Sequence, residues 1–166
     1  MKLREHLTDF SKGDQLSFYW KLFQWRSRAR RGVLRDILNF FCSRSAQKHG
    51  GYIGNGAELS DIPSLPHGLH GIYISRYAKI GADCRIYQNV TIGEVDGKAP
   101  QIGSHCFIGA GAVIIGAIHI GNDVKIGAGA VVCTDIPDHC TVVSQKPRIL
   151  EGSEGHVRIS EGTCMD

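Results

Sequence analysis

Apolar residues recur at every sixth position through most of the chain after residue 73. Each six-residue row begins with isoleucine or valine, and a second small or apolar residue follows four positions later. A strict period of six fits neither the 3.6-residue turn of an α-helix nor the two-residue alternation of a free strand. The leading residues are Ile74, Ile80, Ile86, Ile92, Ile102, Ile108, Ile114, Ile120, Ile126 and Val132. The second residues are Ala78, Cys84, Val90, Ala112, Ile118, Val124, Ala130 and Ile136.

This period predicts a parallel β-helix of triangular cross-section, with one six-residue row on each side. The leading residue of a row would point into the prism and stack on the residue eighteen positions away. Glycine commonly follows it, and glycine, Asn122 or Asp123 supplies the backbone freedom that the corners need. The step from Ile92 to Ile102 is longer, so four extra residues enter around "GEVDGKAPQ". Stacked coils bury a continuous apolar column, which a single coil cannot do.

A different pattern, with apolar residues at three- and four-residue steps, predicts α-helix within residues 1–50, with Gly32 between two helices. Residues 21–35 carry basic side chains and no acid. One helix face would pack on the rest of the protein or on another subunit. Alternatively, the arginines with Trp20 and Trp25 contact an anionic membrane surface or a glycan-assembly complex. We expect a helical segment at 1–50, a β-helix at 51–150 and a tail at 151–166.

The composition is that of an ordinary soluble domain, with 42% apolar and 21% charged residues and a net charge of +3. The six cysteines show no CxxC pair and no zinc-type spacing, which is typical of reduced, buried thiols. No apolar run approaches the ~20 residues of a membrane span, and we see no signal-peptide core. We therefore expect a cytoplasmic protein that binds neither a metal ion nor nucleic acid.

Several stretches resemble the hexapeptide-repeat acyltransferases over about residues 50–150. They are "LPHGLHGIYISRYAKIGADCRIYQNVTIG", "IGAGAVIIG", "IGAGAVV" and "DIPDHCTVVSQKPRIL". The resemblance is closest to the serine acetyltransferase branch, which includes short O-acetyltransferases of capsule and exopolysaccharide gene clusters. It implies a left-handed parallel β-helix and a homotrimer. It also implies that acetyl-CoA, the acyl donor, lies in the groove between neighbouring prisms.

The resemblance assigns the role of general base to His67, in "LPHGLHG". An alcohol is a poor nucleophile at neutral pH, and imidazole is the side chain best matched to removing its proton. His70 is either a second functional group or a solvent-facing loop residue, and we favour the latter. His105, His119 and His139 are at corner-like positions and are interpreted as surface residues.

The resemblance also implies how the donor is held. Ala110 and Ala128 would flank the pantetheine arm, and Gly93 would lie near its acyl end. Small residues there let the arm lie flat along the prism, although close packing at a corner would explain the alanines equally well. Lys146 and Arg148, in "SQKPRI", match a tail near the nucleotide phosphates, for which two cations are suited.

The chain departs from serine acetyltransferases at positions tied to the amino-acid acceptor. Tyr52 replaces the aspartate that orients the catalytic histidine, Pro66 replaces the aspartate just before it, and Ala99 replaces a second histidine. These changes predict a different acceptor. The residues expected to contact the acceptor, or to hold His67 in place of the aspartate, are Tyr52, Asp61, Gln88 and Glu94.

Three functions remain open at this stage. The first is acetyl transfer from acetyl-CoA to a hydroxyl of a saccharide or a capsule or exopolysaccharide precursor, with His67 as base. The second is acetylation of serine or another small hydroxyl compound. The third is a non-catalytic trimeric scaffold. A metalloenzyme of the γ-carbonic-anhydrase type is discounted, because it needs two histidines five residues apart and no pair has that spacing.

Overall fold

The computed structural model describes residues 16–30, 32–145, 149–153 and 156–160, which form two helices followed by short strands. Helix α1 spans Ser17–Arg28 and helix α2 spans Val33–Lys48. The strands are β1 (Tyr52–Ile53), β2 (Glu58–Leu59), β3 (Tyr73–Ile74), β4 (Lys79–Ile80), β5 (Arg85–Ile86), β6 (Thr91–Gly93), β7 (Gln101–Ile102), β8 (Phe107–Ile108), β9 (Val113–Ile115), β10 (His119–Ile120), β11 (Lys125–Ile126), β12 (Val131–Val132), β13 (Thr141–Val142), β14 (Ile149–Ser153) and β15 (His156–Ser160).

The first thirteen strands form the three sides of a parallel β-helix, which confirms the predicted fold class. Sheet A has the order β1-β3-β6-β9-β12, sheet B has β2-β4-β7-β10, and sheet C has β5-β8-β11-β13. Each strand pairs with the strand one coil away and not with its neighbour in sequence, because a corner separates consecutive strands. Strands β14 and β15 form an antiparallel hairpin after the β-helix.

The register of the sheets follows the leading apolar residues. In sheet A, Ile74 pairs with Ile92, and Ile114 pairs with Val132, each at the predicted step of eighteen. Ile92 pairs with Ile114, because that coil contains the predicted four-residue insertion. The insertion is a tight turn in which Val95 and Lys98 exchange backbone hydrogen bonds of 2.9 and 3.0 Å. Extra length is therefore confined to one corner, and the coils on either side stay in register.

The core is a continuous column of side chains inside the prism. The leading isoleucines and the residues four positions later are buried along the whole length, with Ile136 half-buried at the last coil. Burying one such isoleucine contributes about 1.5–3 kcal/mol. Cys84 and Cys106 are free thiols within this column, whereas Cys133 is exposed because it follows the inward-pointing Val132. The expectation of buried cysteines is therefore wrong for Cys133, and Cys140 is only half-buried.

One corner of the prism, between sheets B and C, carries alternating acidic and histidine side chains. Asp83, His105, Asp123 and His139 all have positive φ, between 54° and 59°. His105 lies 3.5 Å from Asp83, and His139 lies 3.6 Å from Asp123. His105 and His139 are exposed corner residues as predicted, whereas His119 lies on strand β10. Among residues the structure describes, no three histidine, cysteine or acidic side chains are arranged to hold a metal ion.

The two helices pack against the first coil of the β-helix. The inward face of α1 consists of Tyr19, Leu22, Phe23 and Arg26, all buried. Arg26 belongs to the basic stretch 21–35, for which contact with an anionic surface was one of two expectations, but the helical period places this arginine on the apolar face. Its guanidinium donates to Asn55 Oδ1 at 3.2 Å and lies 4.1 Å from the centre of the Phe23 ring. Burial lowers the pKa of Arg26. Neither helix is long and apolar enough to cross a lipid bilayer.

Candidate functional site

His67 lies in an exposed loop between the Ser64–Arg85 bridge to sheet C and strand β3. The loop is anchored on both sides of the histidine by tight turns. The Gly68 N–H donates to the Leu65 carbonyl at 3.1 Å, and the Ile72 N–H donates to the Leu69 carbonyl at 3.0 Å. The side chains of Leu69 and Ile72 are fully buried. The backbone around His67 is therefore fixed although its side chain faces solvent.

Gly71 fastens this loop to the coils on either side. Its N–H donates to the Gly50 carbonyl at 2.8 Å, and the His70 carbonyl accepts the Asn89 N–H at 2.9 Å. Gly71 has a φ of 67°, which favours glycine, and a Cβ there would collide with the side-chain oxygen of Asn89. The "HGLHG" sequence thus encodes a loop shape that only glycine permits at its end.

The His67 ring packs against aromatic side chains on the outside of sheet C. Its centre lies 5.8 Å from the Tyr87 ring at an interplanar angle of 57°, and Tyr87 lies 5.2 Å from Phe107. None of the ion pairs between described residues includes His67. Aromatic packing, and not a carboxylate, therefore orients this imidazole within one protomer.

Below the His67 loop, the corner between sheets C and A is flat and open. Gln88, Ala110 and Ala128 lie one above another there. The Gly111 N–H donates to the Gln88 carbonyl at 3.0 Å, and the Gly129 N–H donates to the Ala110 carbonyl at 2.9 Å. No atom lies within 4 Å of a Cβ built on Gly111 or Gly129. We call Gln88, Ala110 and Ala128 the C/A edge. It offers a long, shallow track with only two methyl groups and one amide on it.

The Gln88 side chain carries an unsatisfied acceptor at this edge. Its Oε1 is buried and has no hydrogen-bond partner among the residues that the structure describes. A buried polar atom without a partner costs about 1–3 kcal/mol, so most proteins avoid one outside a binding site. This observation favours a polar ligand beside Gln88. The sequence analysis predicted that Gln88 contacts the substrate that accepts the acyl group.

Gly93 and Glu94 lie at the other edge of sheet A. Gly93 pairs with Ile115 of β9, and the next residue, Glu94, accepts a hydrogen bond from the Ser75 hydroxyl. Gln88 precedes strand β6 and Glu94 follows it, so the two lie at opposite ends of that strand. A single protomer therefore does not bring Gly93 or Glu94 together with His67.

The remaining candidates face the helices or lie outside the described residues. Asp61 accepts the Ile62 N–H at 2.7 Å and lines a cleft of about 520 Å³ with Phe23 of α1. Tyr52 of β1 pairs in register with Tyr73 of β3. Neither contact involves His67. Lys146 and Arg148 lie outside the residues described, so their phosphate role stays a prediction.

The outer surface of sheet A is largely apolar. Its outward residues in register are Tyr52, Tyr73, Thr91, Val113 and Val131. The corresponding residues of sheet B are Glu58, Lys79, Gln101 and His119. Val131 is 67% exposed and Tyr73 is 54% exposed. This surface could have been predicted from the residue that precedes each leading isoleucine, because that residue points outward from the same strand.

Comparison with known families and sequences shows similarity to hexapeptide-repeat transferases and to serine acetyltransferases. Residues 99–134 match the family described as "Bacterial transferase hexapeptide (six repeats)". The chain is 41% identical over 134 residues to serine acetyltransferase of Synechococcus elongatus, a match that covers 78% of this chain and 53% of that protein. It is 40% identical over 99 residues to serine acetyltransferase of Helicobacter pylori, covering 57% of each.

Solved structures give the same relationship. Serine acetyltransferase of Neisseria gonorrhoeae in complex with serine superposes with a TM-score of 0.66 at 33% identity, covering 78% of this chain and 55% of that one. Serine acetyltransferase isoform 3 of Entamoeba histolytica in complex with cysteine superposes with a TM-score of 0.63 at 31% identity, covering 72% and 44%. The chain thus spans about half the length of the relatives it matches.

Proposed function

We propose that this chain, which carries the hexapeptide repeats of the bacterial transferases and has serine acetyltransferases among its relatives, is an acetyl-CoA-dependent O-acetyltransferase. The structural observation that supports this most directly is an exposed, backbone-anchored His67 above the open C/A edge with its unsatisfied Gln88 oxygen. The relatives favour serine as the acceptor over the saccharide that the sequence first suggested, so serine is our leading acceptor.

In this proposal His67 is the general base. Its imidazole takes the proton from the acceptor hydroxyl as the hydroxyl oxygen forms a bond to the acetyl carbon and the carbon–sulfur bond breaks. The imidazolium then returns that proton to the thiolate that leaves. Bound acetyl-CoA supplies an activated acyl group, so His67 need not form a covalent bond itself. Tyr87 limits the positions that the imidazole ring can take while the proton moves to His67 and then to the thiolate.

The C/A edge is the proposed track for the pantetheine arm of the donor. That arm is long and narrow and contains amide N–H groups, and the edge presents a flat surface to it. A rotation of the Gln88 side chain would bring its buried, unpaired oxygen to one of these N–H groups. The Ala110 and Ala128 side chains are small enough to leave the track open. The proposal requires that a larger side chain at either position block the track and so prevent binding of the donor, which can be tested.

A trimer would complete the site. The apolar outer surface of sheet A has the C/A edge on one side and the Gly93–Glu94 corner on the other. Association through this surface would cover Tyr73 and Val131 and place one protomer's Gly93–Glu94 corner near another's C/A edge. Val131→Arg should therefore lower the molar mass measured by light scattering. Gln101→Arg, on the polar outer surface of sheet B, is the matched control.

The experiment that tests this function measures release of free thiol from acetyl-CoA with L-serine as acceptor. Formation of O-acetylserine, identified by mass spectrometry, should accompany thiol release. Calorimetric titration with CoA should show one saturable site per chain. Absence of any CoA binding would contradict the enzyme proposal altogether and favour the trimeric scaffold.

A saccharide hydroxyl remains the second candidate acceptor. The position of the family's orienting aspartate holds Tyr52, which carries no carboxylate. Asp61 accepts the Ile62 N–H and Glu94 accepts from the Ser75 hydroxyl, and no ion pair between described residues joins either carboxylate to His67. The missing aspartate is the observation that favours an acceptor other than an amino acid. The same thiol assay with monosaccharides decides between the two, since CoA binding with no serine-dependent turnover would favour the sugar.

A further inference from the structure

Helix α2 presents its more apolar face to solvent. The residues opposite its buried face are large and hydrophobic, and between 48% and 76% of each is exposed. They are Val33, Leu34, Ile37, Phe40 and Phe41. The face toward the protein contains only Cys42 and Ala46 as fully buried residues. A surface helix normally has the reverse arrangement, so an outer face of this kind indicates an interaction surface.

Helix α1 extends this surface. Phe18 and Trp25, one heptad apart on α1, are 64% and 57% exposed. Phe18 and Phe41 line a common groove of about 680 Å³ between the helices, whose other lining residues include Arg44 and Lys48. We call the exposed apolar residues of both helices the helical apolar face. Its members are Phe18, Trp25, Val33, Leu34, Ile37, Phe40 and Phe41.

Positive charge surrounds the helical apolar face. Between residues 16 and 49, Asp36 is the only acidic residue in the sequence. Exposed cations lie on both helices, and they are Lys21, Arg28, Arg44 and Lys48. A second copy of this face would bring like charges together, which disfavours self-association. The charge is instead complementary to a negatively charged surface.

We propose that the helical apolar face docks on the surface of an anionic lipid bilayer. The phenylalanines and Trp25 would enter the boundary between headgroups and acyl chains, while the cations contact lipid phosphates. Neither helix can cross the bilayer, so the helices lie along its surface. The apolar residues are spread across two helices, and of the seven only Phe18 and Phe41 line the groove between them, which suits a fluid surface better than a protein partner. The inference does not depend on the acetyl-transfer reaction.

The charge part of the proposal is tested with the full chain by vesicle flotation. We expect binding to phosphatidylcholine vesicles that contain phosphatidylglycerol, little binding to phosphatidylcholine alone, and weakening at high salt. The double variant Arg44→Gln with Lys48→Gln should bind about twenty-fivefold more weakly, since each cation contributes roughly fivefold. The control, Lys79→Gln with Lys125→Gln on the β-helix, should bind as the unaltered protein does. Equal binding to both kinds of vesicle, or to neither, overturns the proposal.

The apolar part is tested with Phe40→Ser together with Phe41→Ser. Both side chains are exposed, so the fold should persist, and unchanged far-ultraviolet circular dichroism verifies it. We expect lost vesicle binding and loss of the blue shift in tryptophan emission that vesicles induce. Val143→Ser, which also removes an exposed apolar side chain, is the control. If the double variant instead halves the molar mass and keeps its vesicle binding, a second copy covers this face and the proposal is wrong. Unchanged vesicle binding at unchanged mass also overturns it.

Discussion

The imidazole of His67 rests against the phenol ring of Tyr87, with ring centres 5.8 Å apart and planes inclined by 57°. The loop backbone on both sides of His67 is fixed by hydrogen bonds, so this ring contact restricts the remaining side-chain freedom. In the family that the chain resembles, an aspartate has this orienting role. In this chain the neighbour of the His67 imidazole is instead the aromatic ring of Tyr87, on the next coil.

Replacing His67 by alanine should abolish most acetyl transfer. Loss of a general base typically lowers the rate by roughly 10²–10⁴-fold. The thermal unfolding midpoint should change little, because the side chain is exposed. His119→Ala, which removes an exposed histidine from strand β10, is the control and should retain full turnover in the thiol-release assay. Equal activity of both variants would remove His67 from the mechanism.

Tyr87 should act through its ring and not through its hydroxyl. Tyr87→Leu removes the aromatic contact and should lower kcat by up to about tenfold, in line with the free energy of an aromatic pair. Tyr87→Phe keeps the ring and should restore kcat. KM for acetyl-CoA should stay nearly constant in both, since the change concerns the orientation of the base. A Phe variant as slow as the Leu variant would assign the effect to the hydroxyl.

Gly103 should resist substitution because its neighbour in the next coil is backbone. A Cβ at this position would lie 2.6 Å from the Gly121 carbonyl oxygen, and neither coil can move without shifting the sheet. We expect Gly103→Ala to lower the free energy of unfolding by about 3 kcal/mol. Gly97→Ala, in the insertion turn, meets no atom within 4 Å and should cost only the positive-φ penalty of about 1 kcal/mol. Urea denaturation curves measure both.

The helical segment should lose stability in alkali because of Tyr19. Burial raises the pKa of this phenol from its ordinary value of 10.0. Above that pH the unfolded chain releases the proton while the folded chain retains it. The free energy of unfolding therefore falls by up to about 1.4 kcal/mol per pH unit.

Tyr19→Phe should remove the contribution of this phenol when unfolding in urea is compared at pH about 8 and about 11. A smaller alkaline slope should remain, because burial also raises the pKa of the Cys42 thiol from 9.0. An undiminished slope in the Phe variant would mean that another group is responsible.

The fold could be predicted from the sequence because one physical requirement sets the period. An inward residue such as Ile108 must be apolar in every coil, and the corner that follows must turn, so the pattern repeats wherever the prism continues. The insertion after Ile92 was visible for the same reason. The burial of Arg26 was not predicted, because its charge was considered without its place on the helix, where it shares a face with Tyr19 and Phe23.

The site was less predictable, because it depends on neighbours from different coils. Tyr87 is twenty residues from His67 in the chain, and nothing in the spacing shows that their rings touch. The buried oxygen of Gln88 depends on the packing of side chains around it, which no periodic pattern contains. By contrast, the apolar surface of sheet A was present in the sequence, in residues such as Val113 and Val131 that precede the leading isoleucines.

The helices that pack on the first coil also affect how the protein behaves at high concentration. A parallel β-helix has open ends, where unpaired N–H and C=O groups form a template on which another chain could add a further coil. At the first coil, α2 packs beside β1, and the Gly51 N–H is bonded to the Ala46 carbonyl at 3.1 Å. The helical segment therefore obstructs end-to-end stacking at that end. We expect its removal to expose the backbone groups of the first coil and so to favour end-to-end association.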